Sequence, residues 1–271
     1  MAVKKDISKL GNVFSLGHGG DMFFDKMTDK QFANDEELLT VLWNKFVNPV
    51  GIEMSNDLWG LWGLEGDFKT FLKGRILELL SEINIHNSSA KLRAFKSLHY
   101  LPRAASVNLS VFRNVNEIKA PYFDDRMCKF ICKTSEKLLK DRQIQIEYIK
   151  KRSPKVAKIV WQEKRPFNLF NHHLHRIPYN LPYRLVTKMI RVFNELIGKK
   201  NTQRNWEIQF LGKDNDKILQ KKLFNLEGSK LIPISLMKKY YSRFKNNKNK
   251  KNSSHVVSMM LVINEFSNKN L

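Results

Sequence analysis

Leu16-Gly17-His18-Gly19-Gly20-Asp21 is a glycine-rich turn closed by a carboxylate. Residues this small let backbone N–H groups converge on an anion such as a phosphate chain, and the acid can hold the Mg²⁺ that travels with it. The same composition also serves ordinary turns, so its weight depends on what else the chain carries. Two later segments bear on it: Ala120-Pro121-Tyr122-Phe123-Asp124-Asp125 and Trp161-Gln162-Glu163-Lys164-Arg165-Pro166-Phe167. Asp124 stands where a helix would begin and reads as its N-cap. Lys164 lies in a basic stretch with Lys155, Lys158 and Arg165 and by itself reads as a surface lysine. His172, His173 and His175 suggest a metal, but no carboxylate sits at helical spacing beside them, and a loop near Pro178 is the simpler account.

In order and spacing the three segments resemble the asparagine synthase family, specifically the C-terminal half of its ATP-using synthetase domain. That family carries a Gly-x-Gly-x-Asp-Glu turn, then Pro-Phe-Leu-Asp, then Trp-Arg-x-Lys-x-x-Phe. Gly17, Gly19 and Asp21 fall on the first, and Pro121, Phe123 or its neighbour Tyr122, and Asp124 on the second. Trp161, Lys164 and Phe167 fall on the third. The match is clearest over residues 12–170 and fades from Asn168 onward.

The resemblance implies an ATP-dependent, amide-forming ligase. A carboxylate is activated as an acyl-adenylate, pyrophosphate leaves, and an amine attacks. ATP and Mg²⁺ are the implied cofactors, and a small-molecule carboxylate and amine the implied substrates. On this carry-over Asp21 is a Mg²⁺ ligand, and Gly17, Gly19 and Gly20 let the backbone approach the nucleotide. Lys164 becomes the catalytic cation that meets charge growing on the α-phosphate, a task suited to a flexible point charge. His18 stands where the family has the Glu that acts on the attacking amine. It would be a base near neutral pH or the mark of a changed substrate.

Departures from the pattern qualify the activity. Met22 follows Asp21 where the family has Glu, and Ser-Gly-Gly-x-Asp-Ser, the pyrophosphate loop, occurs nowhere in the 271 residues. Ala2 stands where the glutaminase domain would have its cysteine. The chain is therefore not expected to form an adenylate alone. The implied partner is a protein carrying the pyrophosphate loop and glutaminase domain. The alternative is a non-catalytic helical protein-interaction module derived from the same fold.

Composition sets the wider bounds. With 42% hydrophobic residues the chain can bury a substantial core. Met1-Ala2-Val3-Lys4-Lys5-Asp6 is polar with no apolar run after it, and no stretch is long enough to span a bilayer, so a cytoplasmic chain without membrane contact is expected. Cys128 and Cys132 sit one helical turn apart, a spacing unsuited to a disulfide on a helix, and no second Cys/His pair is placed to complete a zinc site. The net charge of +22 invites a nucleic-acid reading. The basic residues are nevertheless dispersed and mostly Lys, interleaved with Asn as in residues 245–252, so a nucleic-acid partner is not the expectation.

Helical periodicity dominates the elements that must position these residues. Leu38, Leu39, Leu42, Trp43 and Phe46 form a stripe that Asn34 and Glu37 open as a capping box and that stops before Pro49. A second helix runs from Asp67, with Phe68, Phe71, Leu72, Ile76, Leu79, Leu80 and Ile83 inward, and a third carries Leu92, Phe95 and Leu98. Others begin near Asp125 and cover 143–150 and 183–197, the last closed by Gly198. Val13 to Leu16 reads as a short buried strand feeding the glycine turn, and Trp206 to Phe210 alternates weakly. The expected fold is mostly α; by resemblance it is the helical C-terminal half of an adenine-nucleotide-alpha-hydrolase-like α/β synthetase domain. Residues 1–240 would form that partial domain, 241–255 a Lys/Asn-rich linker, and 256–271 a terminal helix and tail that docks on the body or on a partner.

Overall fold

The computed structural model describes residues 11–198, 212–224, 231–246 and 250–270. Strand β1 (Val13–Ser15) and helix α1 (Gly20–Phe24) are followed by α2 (Asp35–Phe46), α3 (Pro49–Leu61) and α4 (Phe68–Ser81). Helix α5 (Ser88–Phe95) passes through a π-turn (Lys96–Tyr100) into α6 (Leu101–Arg113), and β2 (Glu117–Lys119) comes next. A 3-10 turn at Pro121–Phe123 leads to α7 (Asp125–Lys133), α8 (Glu136–Leu139), α9 (Gln143–Arg152) and α10 (Pro154–Ala157). Further 3-10 turns at Gln162–Lys164 and His172–Leu174 precede α11 (Leu181–Leu196), α12 (Lys213–Phe224), α13 (Ile234–Asn246) and α14 (Lys250–Asn270). The chain is mostly helical. Trp206 to Phe210, read as a weak strand, lies outside the described residues.

Two compact units divide the chain: Met1–Leu38 with Glu78–Gly198, and Leu39–Leu77 with Lys199–Leu271. The boundaries at 240 and 255 read from the sequence do not coincide with this division. The expected linker is helical at both ends, because α13 continues through Asn246 and α14 already starts at Lys250. Burial explains why: Phe244 on one side and Ser253 and Ser254 on the other are packed away from water.

The first unit is built around Met22, Phe23 and Phe24 of α1, with Leu101, Ile131 and Leu139. Strands β1 and β2 pair in parallel, Phe14 opposite Ile118 and Ser15 opposite Lys119, and Leu16 N–H extends the ladder to Lys119 C=O at 2.9 Å. The strand at 13–15 was expected to be buried, yet Val13 is exposed, since a two-stranded ladder covers only part of each face. The π-turn corrects a second expectation. Leu92 and Phe95 face inward as their spacing requires, but the extra residue in the turn shifts the helical phase beyond it, and Leu98 is 60% exposed.

In the second unit α3, α12, α13 and α14 enclose Met54, Leu58, Leu223, Met237, Phe244, Val257 and Met260. Helix α3 follows an Asn48 cap whose side chain accepts from Val50 and Gly51 N–H at 2.9 and 3.2 Å, with Pro49 in the first turn. Asp57 of α3 accepts from Lys239 Nζ at 2.7 Å and the Tyr240 hydroxyl at 2.8 Å. Tyr241 donates to Asp216 at 2.6 Å; burial and that carboxylate push its phenol up to about 12. Phe71, expected inward, is exposed and stacks instead on Trp59, ring centroids 4.8 Å apart.

Candidate functional site

The glycine turn leaves the carboxyl end of β1, and the Pro121–Phe123 turn leaves the carboxyl end of β2. Parallel pairing therefore brings the first two sequence segments to the same edge of the ladder. Contact is close. A Cβ on Gly20 would lie 2.8 Å from the Tyr122 ring, and one on Gly19, which has φ of +90°, 3.1 Å from Phe123. Glycine is needed at 19 and 20 because two aromatic rings of the second segment rest on the backbone there. Tyr122 is itself held: its hydroxyl accepts from Gln145 Nε2 at 2.8 Å, and its ring meets Phe24 edge-on at 5.9 Å.

The remaining residues of the turn face outward. A Cβ on Gly17 would meet no atom within 4 Å, and Asp21 is exposed in the first turn of α1. Gly20 N–H is already engaged by Gly17 C=O at 3.2 Å. His18 is half-buried, its ring edge-on to Phe112 at 6.2 Å. Gly17, His18 and Asp21 thus form the approachable side of the turn, and Gly19 and Gly20 its packed side.

Asp124 caps α7 as its position suggested, accepting from Arg126 N–H at 2.9 Å. Hydrogen bonds from the Arg126 side chain and backbone hold its carboxyl down at about 2. The two cysteines, one half-buried and one exposed on α7, are free thiols.

The third segment forms a closed loop. Trp161 N–H donates to Phe167 C=O at 2.8 Å, Phe167 N–H to Lys164 C=O at 3.0 Å, and Lys164 N–H to Trp161 C=O at 3.0 Å. The Lys164 ammonium stays within that loop, 3.9 Å from Glu163 and 5.9 Å above the Trp161 ring. The histidine cluster supports the loop by packing: His172 lies 5.8 Å from Trp161, and His175 6.3 Å from Phe167. Among the described residues no group of three or more His, Cys, Asp or Glu is arranged to hold a metal ion.

The second and third segments border one cavity of about 980 Å³ in the first unit, and the helix that follows the glycine turn reaches it through Phe24. Phe24, from the helix after the glycine turn, Tyr122 from the second segment, and Trp161 and Gln162 from the third line it, together with residues of α7 and α9 such as Met127 and Ile146. The second and third segments converge there through their aromatic side chains. His18, Asp21 and Lys164 do not line the cavity.

The chain matches no family model, no curated protein and no solved structure.

Sequence reasoning missed Arg93. It is 5% exposed, and its guanidinium reaches the carbonyls of Met22 at 3.0 Å, Phe23 at 2.5 Å and Asp25 at 3.2 Å. These are the orphan acceptors at the end of α1, the helix that anchors the glycine turn. Glu136 neutralises it at 2.7 Å, and Ser89 in turn donates to Glu136 at 2.9 Å. No local pattern marks it: by helical spacing Arg93 lies off the Leu92–Phe95 stripe, and only its partners on α1 and at Glu136 show its use.

Proposed function

We propose that this chain is the C-terminal part of an asparagine-synthase-like ligase, working with a partner that supplies the pyrophosphate loop. The carrying observation is the contact of Gly19 and Gly20 with Phe123 and Tyr122 at the carboxyl ends of two parallel strands. Open α/β sheets bind their ligands at that end. Two segments far apart in sequence meet there, and the second and third border one cavity. The adenine-nucleotide-alpha-hydrolase-like origin of the fold belongs to this proposal.

The residues fit a nucleotide on one side only. Gly17 is open and Asp21 exposed, so a phosphate and its Mg²⁺ can reach both. Mg²⁺ would neutralise the leaving pyrophosphate when bound. Asp21 would orient that end of the nucleotide, His18 would stand beside the attacking amine, and Lys164 would swing from Glu163 toward the α-phosphate. These tasks need phosphate contacts from elsewhere.

ATP–pyrophosphate exchange tests the reading, using this chain with a chain that carries Ser-Gly-Gly-x-Asp-Ser. Exchange is expected in the complex and not alone, and Asp21→Ala or Lys164→Ala should lower it by about a hundredfold or more. Equal exchange by Asp21→Ala and the wild type sinks the catalytic assignment.

One observation favours a non-catalytic module instead. The shared cavity is walled by aromatic and aliphatic side chains, while Lys164 is engaged inside its own loop. That reading predicts a protein complex indifferent to ATP.

A further inference from the structure

We infer that α11 is an in-plane anchor for an anionic lipid surface. Taken at about 100° per residue, Leu181, Leu185, Val186, Met189, Ile190, Val192, Phe193 and Leu196 occupy roughly 180° of its circumference. The side chains that should be hidden are exposed: Met189 by 70%, Phe193 by 62% and Leu196 by 80%. The opposite side carries Arg184, Lys188 and Arg191 with Thr187 and Asn194, and the helix has one acid in its sequence, Glu195. Lys199 and Lys200 follow in the sequence. The approach is also basic and apolar: exposed Ile177 and Tyr179 precede the helix, and the Arg176 guanidinium lies 5.9 Å from the Tyr179 ring.

Length and arc width select the occupant. Sixteen residues give a helix of about 24 Å, shorter than a hydrocarbon core of about 30 Å, and no helix among the described residues is long and apolar enough to cross a membrane. The apolar arc is wider than the roughly 100° at which docking onto a protein core begins, and cations fill the other half of the helix. A flat interface accepts a half-cylinder: one side enters the acyl boundary while the cations stay among headgroups. The sign of the charge then selects anionic lipid, to which each Lys or Arg near the surface adds attraction. A nucleic acid would meet the cations and leave the apolar half in water. The expectation of no membrane contact rested on the lack of a span, which a helix lying in the plane does not require.

Vesicle co-sedimentation of the full chain tests this, using phosphatidylcholine alone and phosphatidylcholine with about one-third phosphatidylserine at roughly 0.1 M salt. Binding is expected only to the anionic vesicles. It should fall about tenfold or more both in Met189→Glu/Phe193→Glu and in Arg184→Glu/Lys188→Glu/Arg191→Glu. Circular dichroism checks that the variants keep their helix content, and Met189→Ala/Phe193→Ala gives a milder apolar deletion that should also weaken binding. No co-sedimentation of the wild type overturns the inference. So does anionic binding that survives both apolar variants, since diffuse charge would then suffice. Self-association of the wild type that Met189→Glu/Phe193→Glu abolishes would assign the face to a second copy and overturn it as well. Vesicle binding neither needs nor tests the ligase chemistry.

Discussion

Arg93 and Glu136 meet through two parallel hydrogen bonds, Nε to Oε1 at 2.8 Å and Nη2 to Oε2 at 2.7 Å. The same guanidinium takes the carbonyls of Met22 and Phe23 through Nη1. A charge brought in from α5 thus closes the end of α1, and the glycine turn is fixed from behind. Arg93→Met should destabilise the first unit by about 3–5 kcal/mol, because it strands the Glu136 charge and several buried carbonyls. Urea unfolding measures this; a loss under about 1 kcal/mol would mean that water replaces the guanidinium.

The same pair fixes a pH dependence. Burial pushes the Glu136 carboxyl up, but hydrogen bonding to Arg93, its charge and the Ser89 hydroxyl outweigh burial and hold it below its ordinary 4.5. The unfolded chain then takes the proton more readily. This contribution is complete above pH 4.5 and is lost as pH falls through the lowered folded value. The stability gap between wild type and Glu136→Gln should narrow on acidification below that point. Parallel curves would show that Glu136 contributes no pH dependence.

Gly20→Ala should cost about 1–3 kcal/mol, since the new methyl meets a Tyr122 ring pinned by Gln145 and cannot displace it freely. Tyr122→Leu in the same chain should recover part of the loss. Gly17→Ala, with open space around it, should change stability little. Equal losses at 17 and 20 would contradict the close approach.

Asn48→Ala removes the acceptor for two N–H groups at the start of α3 and should lower stability of the second unit by about 1 kcal/mol. Asn48→Ser should restore most of it. Circular dichroism during thermal unfolding reads both.

Legibility followed the range of the interaction. The α2 start was readable because Glu37 N–H bonds to the Asn34 side chain three residues away, at 3.0 Å. Helix α3 is announced only by Asn48-Pro49, and Pro49 both ends the α2 stripe and serves as a favoured first residue of the next helix. Strand β2 is only Glu117-Ile118-Lys119, and its pairing partner lies a hundred residues earlier, so no local pattern marks it. Leu98 was misplaced because a π-turn changes helical phase without a sequence signature. At the candidate site the segments were found but not their use. Gly19 and Gly20 look like anion binders in the sequence, and only the position of Tyr122 and Phe123 reveals what their small size accommodates.

Selective ¹⁵N-glycine labelling of the chain, which has 12 glycines, is the sharpest test of nucleotide binding at this turn. With a chain carrying Ser-Gly-Gly-x-Asp-Ser present, Mg²⁺·ATP titrated to roughly millimolar, the upper range of enzyme–substrate affinities, should move the Gly17 amide signal saturably. The shift should require Mg²⁺ and disappear in Asp21→Ala. Glycine signals that stay still, or shifts that persist unchanged in Asp21→Ala, would contradict a nucleotide site at the glycine turn.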